Sequence, residues 1–456
     1  MGYHAGAVRP MLRALAVFVA VFAIYAALSG PRLLRPSPDN HFVHMASAWL
    51  HGRLDLPGRP PHRNDWGKIS TYVLDDGTQV VGIVCRTAAC AAATGRGEIA
   101  VRTMDGDVVE ISRRRIRRTT HRYYVTFPPG PAVVLLPLVA LLGFATPDTL
   151  ICVLAGALAP ALLVLGLDRL WPPSSPTDPA HPILALALAL GSPLSFVAPA
   201  GGVWFLAQAI AVACAIVAIV GVLGAYRPMI VGLALALLLA TRPTVALGVY
   251  AFVAVLWARR RPRLRTALAV VVPSIVVGLA LAAHNFARFG DVFEFGHRFL
   301  DVAWQPRIQE HGLFSLRYLP RNLHAMFLLA PKIEDHGLRV SIHGMSLLLA
   351  SPWVAGVLRP GAPYASRAAL AVGAITAAAF PLLYQNTGQV QFSPRFALDF
   401  LPFLLVHLAA AGTARRPWFA ILVAVASVVG IIGGALFVRA PGRLFVPSLW
   451  PYGAGP

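Results

Sequence analysis

The densest group of side chains able to do chemistry stands between residues 39 and 55: Asp39, Asn40, His41, His44 and Ser47, then His51, Arg53 and Asp55. A carboxylate in such a group can take the proton from a hydroxyl, or orient that hydroxyl for attack, which is general-base chemistry. Asp39 equally suits the cap of a short helix whose apolar side carries Phe42, Met45 and Leu50, and a helix of that kind lies along a membrane surface. His41 and His44 stand at helical spacing, but two imidazoles without a third fixed ligand make a weak zinc site, so no metal ligands are assigned. Arg242, Arg288, Arg298, Lys332 and Arg395 are cations outside the basic short loops, each explicable as a side chain snorkelling at a helix end. Glu294, His297 and Asp301 follow a helix expected to end near Asn285. Asp399 stands where it can pair with Arg395 along a helix.

An apolar chain must hold these residues. Of 456 residues, 57% are hydrophobic and 13% charged, against about 25% charged in ordinary soluble domains, which excludes a soluble enzyme of this size. Apolar runs near 14–29, 149–167, 183–198, 204–225, 229–241, 243–258, 266–286, 344–358, 368–384, 396–412 and 417–438 predict about eleven transmembrane spans. The first follows Arg9 and Arg13 and is read as a retained helix, not a cleaved signal. With the N-terminus cytoplasmic, the short loops holding Arg169, Arg227, Arg259 to Arg265, Arg359, Arg367, Arg415 and Arg416 all fall on the cytoplasmic side. That solution makes the apolar stretch 131–144 a re-entrant or interfacial segment, because a crossing there would reverse every later loop. The 39 basic and 19 acidic residues give a formal charge of +20, yet most arginines sit at the ends of apolar runs, where they meet anionic headgroups. Membrane lipids, and not nucleic acid, are the partners this charge implies.

The chain then divides into an N-terminus and first helix (1–30), an external loop (31–130), a re-entrant segment with helices (131–286), a second external loop (287–343), further helices (344–438) and an external tail (439–456). Within the first loop, over about 64–122, the stretches WGKISTYVL, TQVVGIVC, EIAVRTM and DVVEISRRRI are separated by turns at Asp75-Asp76-Gly77 and Asp105-Gly106. Alternation broken by Asp-Gly turns predicts a β-insertion of at least two hairpins. Cys85 and Cys90 close a small disulfide if this loop lies outside the cytoplasm and are otherwise two free thiols, while Cys152 and Cys214 are packing residues. Arg113, Arg114, Arg115, Arg117 and Arg118 suit an anionic lipid or glycan, or the solubility of a strand edge. Tyr123, Tyr124, Phe127, Trp204 and Phe205 read as an interfacial aromatic belt.

The run Ser37-Pro38-Asp39-Asn40-His41-Phe42 to Ala46, followed by Leu50-His51-Gly52-Arg53-Leu54-Asp55 soon after a first apolar helix, resembles the opening of bacterial GT-C glycosyltransferases. That superfamily includes protein O-mannosyltransferases, oligosaccharyltransferases and the aminoarabinose transferases of lipid A. Tyr123 to Gly130, Thr241-Arg242-Pro243-Thr244, Asn285 to Gly290, Phe293 to His297 and Ser393-Pro394-Arg395-Phe396 are similar to its softer motifs. The resemblance implies an all-α polytopic protein of the bacterial inner membrane with a β-rich insertion in its first external loop. It implies transfer of a sugar from a polyprenyl-phosphate-linked donor to a glycan, lipid or protein acceptor at the external, periplasmic face, with inversion. Asp39 maps onto the family's acidic position as general base. Arg242, Arg288, Arg395, Lys332 and Arg298 would serve the donor phosphate, and Asn40, His41, His44, Glu294 and His297 the acceptor or sugar side. Many relatives carry two adjacent acids where this chain has Asp39 and Asn40, and an amide is a poorer ligand for a divalent ion, so a divalent metal cofactor stays open. The turn 198–202 holds no counterpart of the second-loop acid found in some members. A multi-pass transporter and a non-catalytic envelope-polysaccharide assembly subunit are the rival readings. A transporter is disfavoured because the acids gather in loops instead of at mid-membrane and no repeat is evident.

Overall fold

The computed structural model describes residues 2–62, 64–175, 177–334, 337–359 and 366–446. After α1 (Gly2–Ser29) and α2 (His41–Leu50) come five strands, β1 (Trp66–Leu74), β2 (Gln79–Val84), β3 (Glu98–Thr103), β4 (Val108–Ser112) and β5 (Ile116–Val125), with α3 (Ala88–Ala93) between β2 and β3. They form one antiparallel sheet in the order β4-β3-β2-β1-β5. Asp-Gly turns close the β1–β2 and β3–β4 hairpins, where glycine takes the left-handed conformation at Gly77 and Gly106 (φ 86° and 101°). β5 returns along β1 until Val125 faces Trp66, so the sheet delivers the chain on both sides of it to one place. Cys85 and Cys90 are disulfide-bonded at the end of β2.

The rest is mostly helical, the form in which an apolar chain satisfies its own backbone. It comprises α4 (Gly130–Leu142), α5 (Asp148–Leu170), α6 (Ala180–Ala189), α7 (Leu194–Ala200), α8 (Val203–Leu223), α9 (Pro228–Thr241), α10 (Pro243–Arg260) and α11 (Leu264–Phe289). Then follow α12 (Gln305–His311), α13 (Leu319–Phe327), the short strands β6 (Lys332–Glu334) and β7 (Gly337–Ser341), α14 (Leu347–Ala350), α15 (Arg367–Leu383), α16 (Leu401–Ala410), α17 (Pro417–Arg439) and α18 (Pro441–Leu444), with β8 (Phe445–Val446) parallel to β7. Among the described residues five helices are long and apolar enough to cross a bilayer: α1 with its 3-10 extension, α5, α8, α11 and α17. The pair α6 and α7, bent by 57°, makes a sixth. The protein is therefore a multi-pass membrane protein.

About eleven full-length spans were expected, and length alone does not supply them. The stretch 344–358 breaks into the four residues of α14 and a 3-10 segment, Pro352–Leu358, because Pro352 lacks the N–H that would continue the helix. The 13 residues of α4 rise only about 20 Å, short of a hydrocarbon core of about 30 Å. α8 is the central helix, packed on α5 and α9, with 89% of its apolar stretch buried against 17% for peripheral α11. α2 is also covered: Phe42 and Met45 join the core, and α4 and β5 pack on the helix, so it does not lie on a membrane surface as its spacing suggested.

One consequence is measurable. Maleimide added to intact cells should leave Cys85 and Cys90 unlabelled until a membrane-impermeant reductant is present, after which both react. Labelling before reduction would contradict the bridge, and labelling that requires cell lysis would contradict an extracytoplasmic sheet.

Candidate active site

Asp39 is held from three directions. The Asp148 carboxylate, in the first turn of α5, accepts the Ser37 N–H at 2.6 Å and the Ser37 hydroxyl. The Val203 N–H at the start of α8 donates to the Asp39 carbonyl at 2.9 Å. Gly202 supplies the backbone turn that precedes this contact, with a φ of 89° that glycine adopts without strain. From the third side His62 Nε2 donates to the Pro38 carbonyl at 3.0 Å, and Asn64 Nδ2 donates to Asp39 Oδ1 at 3.3 Å. The carboxylate itself stays 29% exposed, so it is fixed yet reachable. It caps nothing; Asn40 is the N-cap residue of α2, and its side chain makes no capping bond.

Asp39, His41 and His62 offer ligand atoms within 4.8 Å of one another, a spacing a metal ion could use. The hydrogen bonds set which of these nitrogens is open to one. His62 Nδ1 accepts from Trp66 Nε1 and from the Asn64 N–H, which leaves its proton on Nε2, pointed at Pro38. His41 Nε2 likewise meets the Asn64 carbonyl at 2.9 Å. Both Nε2 atoms are thus committed to carbonyl oxygens, while His41 Nδ1 is buried without a hydrogen-bond partner and keeps one lone pair available. His41 is fully buried and stacked on Trp66, ring centroids 3.8 Å apart. Burial pushes its pKa down to about 3, so it is a neutral packing group instead of an acceptor contact. His44, lowered by burial as well, packs against Phe144 and Trp66.

Asp65 was not anticipated. It stands in the loop that the sheet returns to Asp39, in the left-handed conformation (φ 56°) that aspartate tolerates better than most residues. Trp204 Nε1, from the first turn of α8, donates to Asp65 Oδ2 at 2.9 Å, so the predicted belt tryptophan instead orients a carboxylate. Burial, opposed by that hydrogen bond and by Arg395, raises the Asp65 pKa to about 6, and the charge of Asp39 adds to the rise. The signal in the sequence was only an Asn-Asp pair before a strand, which ordinarily reads as a turn.

Two of the predicted phosphate cations come together here. Arg242 fills the break between α9 and α10 that Pro243 enforces, and Arg395 opens a 3-10 segment, Arg395–Asp399. Both guanidiniums lie over the Phe396 ring, at 5.6 and 5.2 Å, and Arg395 also lies over Phe205. Asp399 pairs with Arg242 at 2.7 Å and not with Arg395 as helical spacing suggested, since a 3-10 turn repeats every three residues. Arg242 Nε and Arg395 Nε are buried without a protein partner. Gln391 sets the Arg395 backbone by accepting its N–H at 3.0 Å, and Gln208 of α8 donates to the Arg395 carbonyl at 3.0 Å.

The other candidates sit elsewhere. Arg288 donates to the Val125 carbonyl at 2.8 Å and to Asn285 Oδ1 at 3.0 Å, tying β5 to α11. Arg298 pairs with Glu294 at 3.2 Å, lies over Phe299 and borders a cleft lined by Met104, Asp105 and Phe286 that does not include Asp39. Lys332 is exposed on β6 opposite Arg339. His297 lies edge-on to Phe127, its pKa held down to about 4 by burial. Asp301 pairs with Arg86 at 2.9 Å and Lys68 at 3.7 Å, joining the second loop to the sheet.

Fold and site together define a polytopic helical membrane protein with a carboxylate pair and a buried arginine pair at one end of its helices. No family model matches the chain, and no curated protein does. Among solved structures it is similar to the crystal structure of ArnT from Cupriavidus metallidurans bound to undecaprenyl phosphate, with a TM-score of 0.48 and 13% identity over 93% of this chain and 76% of that one. A likeness at this level speaks to neither chemistry nor residue roles.

The Arg242–Asp399 pair makes a stability prediction, because its side chains are only 18% and 3% exposed. Arg242→Ala, which strands Asp399 in the interior, should cost about 3–5 kcal/mol, read as a lower melting temperature of the detergent-solubilised protein. The double variant Arg242→Met/Asp399→Leu should recover most of the loss. A single variant that melts like wild type would contradict a buried pair.

Proposed function

We propose that this protein is an integral membrane glycosyltransferase that moves a sugar from a polyprenyl-phosphate-linked donor to an acceptor at the extracytoplasmic face. The observation that carries the reading is the placement of a fixed, partly exposed carboxylate, Asp39, in one cluster with Asp65 and the guanidiniums of half-buried Arg242 and buried Arg395, each with a buried, unpartnered Nε. A sugar bound through phosphate needs both: a base for the incoming hydroxyl and positive charge for the departing phosphate. The acceptor oxygen bonds to the anomeric carbon as the bond from that carbon to the phosphate oxygen breaks. The hydroxyl proton passes to Asp39, and the electron pair stays on the phosphate, met by Arg242 and Arg395. Attack opposite the leaving group inverts the anomeric carbon. The 21-residue α8, whose N-terminus lies at Asp39 and Asp65, adds the positive end of its dipole.

Topology supports the extracytoplasmic placement. Arg169 at the end of α5 donates to the Ala225 carbonyl just past α8, and Arg13 of α1 and Arg415 before α17 both reach Asp178, so the arginine-bearing ends gather. The ends at Asp39 are the opposite ones, and a disulfide stands in the sheet attached to them. Basic short loops face the cytoplasm, which puts the N-terminus inside. Counted by direction instead of helix length, with α6 and α7 as one pass and the broken stretch 347–358 as another, the described helices support a reading of eleven passes in which α4 does not cross. Along that broken stretch Trp353 bonds the Gly191 carbonyl at the α6–α7 bend and contacts Phe419.

Asp39→Asn should lower transfer from a polyprenyl-phosphate sugar in proteoliposomes by about 10²–10⁴-fold while leaving insertion and melting unchanged. Undiminished transfer would remove Asp39 as the base. Asp65 sets the pH dependence. Its raised pKa means that the proton leaves near pH 6, and the negative charge then present in the cluster favours departure of the proton from the acceptor hydroxyl in the transition state, so transfer should climb as pH rises through about 6. By the same linkage, the stability Asp65 contributes is full below the ordinary carboxylate value and is lost as pH rises through about 6. Asp65→Asn should flatten the rate profile across that interval. An unchanged profile would assign the titration to another group.

A further inference from the structure

A second group of guanidiniums lies next to the first and plays no part in the transfer step as written. Arg307, on α12, donates through Nη1 to the Gln385 carbonyl at 3.1 Å, and Arg321, on α13, donates through Nη2 to the same oxygen at 2.7 Å. Arg321 Nε also reaches Asn322 Oδ1 at 3.2 Å. A carbonyl oxygen has two lone pairs, so these donors fill it, and among the described residues most N–H groups of Arg307 are left without a hydrogen-bond partner. Among the described residues neither guanidinium has a carboxylate partner. Glu310, the acid of α12, instead accepts from the Ala88 N–H at 3.4 Å and stands 3.9 Å from His311.

Two like charges drawn onto one neutral oxygen repel, and an anion between them would relieve that repulsion. Both side chains are partly exposed, so a ligand can reach them. His343 lies within electrostatic range of both, but burial first, and then Arg321 and Arg307, hold its pKa down to about 4, so it is neutral near pH 7. Tyr384 connects this group to the candidate active site: it precedes Gln385, and its ring packs edge-on against Phe396, the ring that carries Arg242 and Arg395.

We propose that Arg307 and Arg321 form a second anion subsite, which takes a phosphate or carboxylate carried by the acceptor while Arg242 and Arg395 hold the donor phosphate. Assignment to an acceptor rests on the glycosyl-transfer reading; the anion site itself does not.

The test uses the full chain in nanodiscs of zwitterionic lipid, titrated with undecaprenyl phosphate and then, with that lipid saturating, with inorganic phosphate. Wild type should bind both. Arg307→Gln/Arg321→Gln should weaken inorganic phosphate by about tenfold or more and leave undecaprenyl phosphate unchanged, whereas Arg307→Lys/Arg321→Lys should keep most of the phosphate binding. Unchanged phosphate binding in the glutamine variant, or none in wild type, overturns the site. Equal loss of undecaprenyl phosphate assigns the arginines to the donor and overturns the acceptor role. Equal loss in the lysine variant reduces them to a tie on the Gln385 backbone. If wild type binds inorganic phosphate at these arginines but no undecaprenyl phosphate, the donor reading fails and the anion site stands.

Discussion

A guanidinium withdrawn from water is costly unless its charge and its N–H donors are met, and the helix ends around Asp399 show what that constraint produces in this chain. Arg242 can face Asp399 only because Pro243 interrupts the passage from α9 to α10, freeing a residue of non-helical conformation in an otherwise apolar hairpin. Arg395 is turned toward the same ring by a 3-10 segment whose first N–H is held by Gln391. What the protein leaves unmet is specific. Each arginine keeps a buried Nε without a partner, an arrangement that an anion of the size and charge of a phosphate would complete.

Asp39 is governed by the opposite requirement, since a base must remain open to its substrate. Its position is fixed through backbone groups, by Asp148 acting on Ser37, by His62 on Pro38 and by the N-terminus of α8 on Asp39 itself, while its own carboxylate receives only one long bond from Asn64. The sheet matters to this chemistry because β1 and β5 end side by side. Their junction carries Asn64, Asp65 and Trp66 over α2 and brings the second carboxylate into place.

Much of this was legible in the sequence. Strong apolar runs gave the helices, and Asp-Gly turns with alternation placed β1 to β4. The Thr-Arg-Pro-Thr and Ser-Pro-Arg-Phe stretches marked the two arginines that the fold unites. β5 was missed because IRRTTHRYYV has no apolar alternation: it is an edge strand, and six of its ten residues are exposed. α2 looked amphipathic because spacing reveals an apolar face but not that a sheet and α4 will cover the polar one as well. Asp65 left almost no trace, because its role depends on Trp204, more than a hundred positions away, and on a backbone conformation that no residue pattern announces. The stretch 344–358 was apolar enough for a span, but Pro352 and the need to pass the α6–α7 bend divide it.

In the proposed reaction one polyprenyl phosphate sits between Arg242 and Arg395 with Asp39 facing the sugar end. A cryo-EM map of the protein in lipid nanodiscs with undecaprenyl phosphate tests it most directly. Phosphate density is expected at hydrogen-bond distance, about 3 Å, from both guanidiniums, with the prenyl chain leaving toward the bilayer and the Asp39 carboxylate across the gap. Phosphate density at Arg288 or Lys332, or an Asp39 carboxylate turned away from the bound lipid, would contradict it.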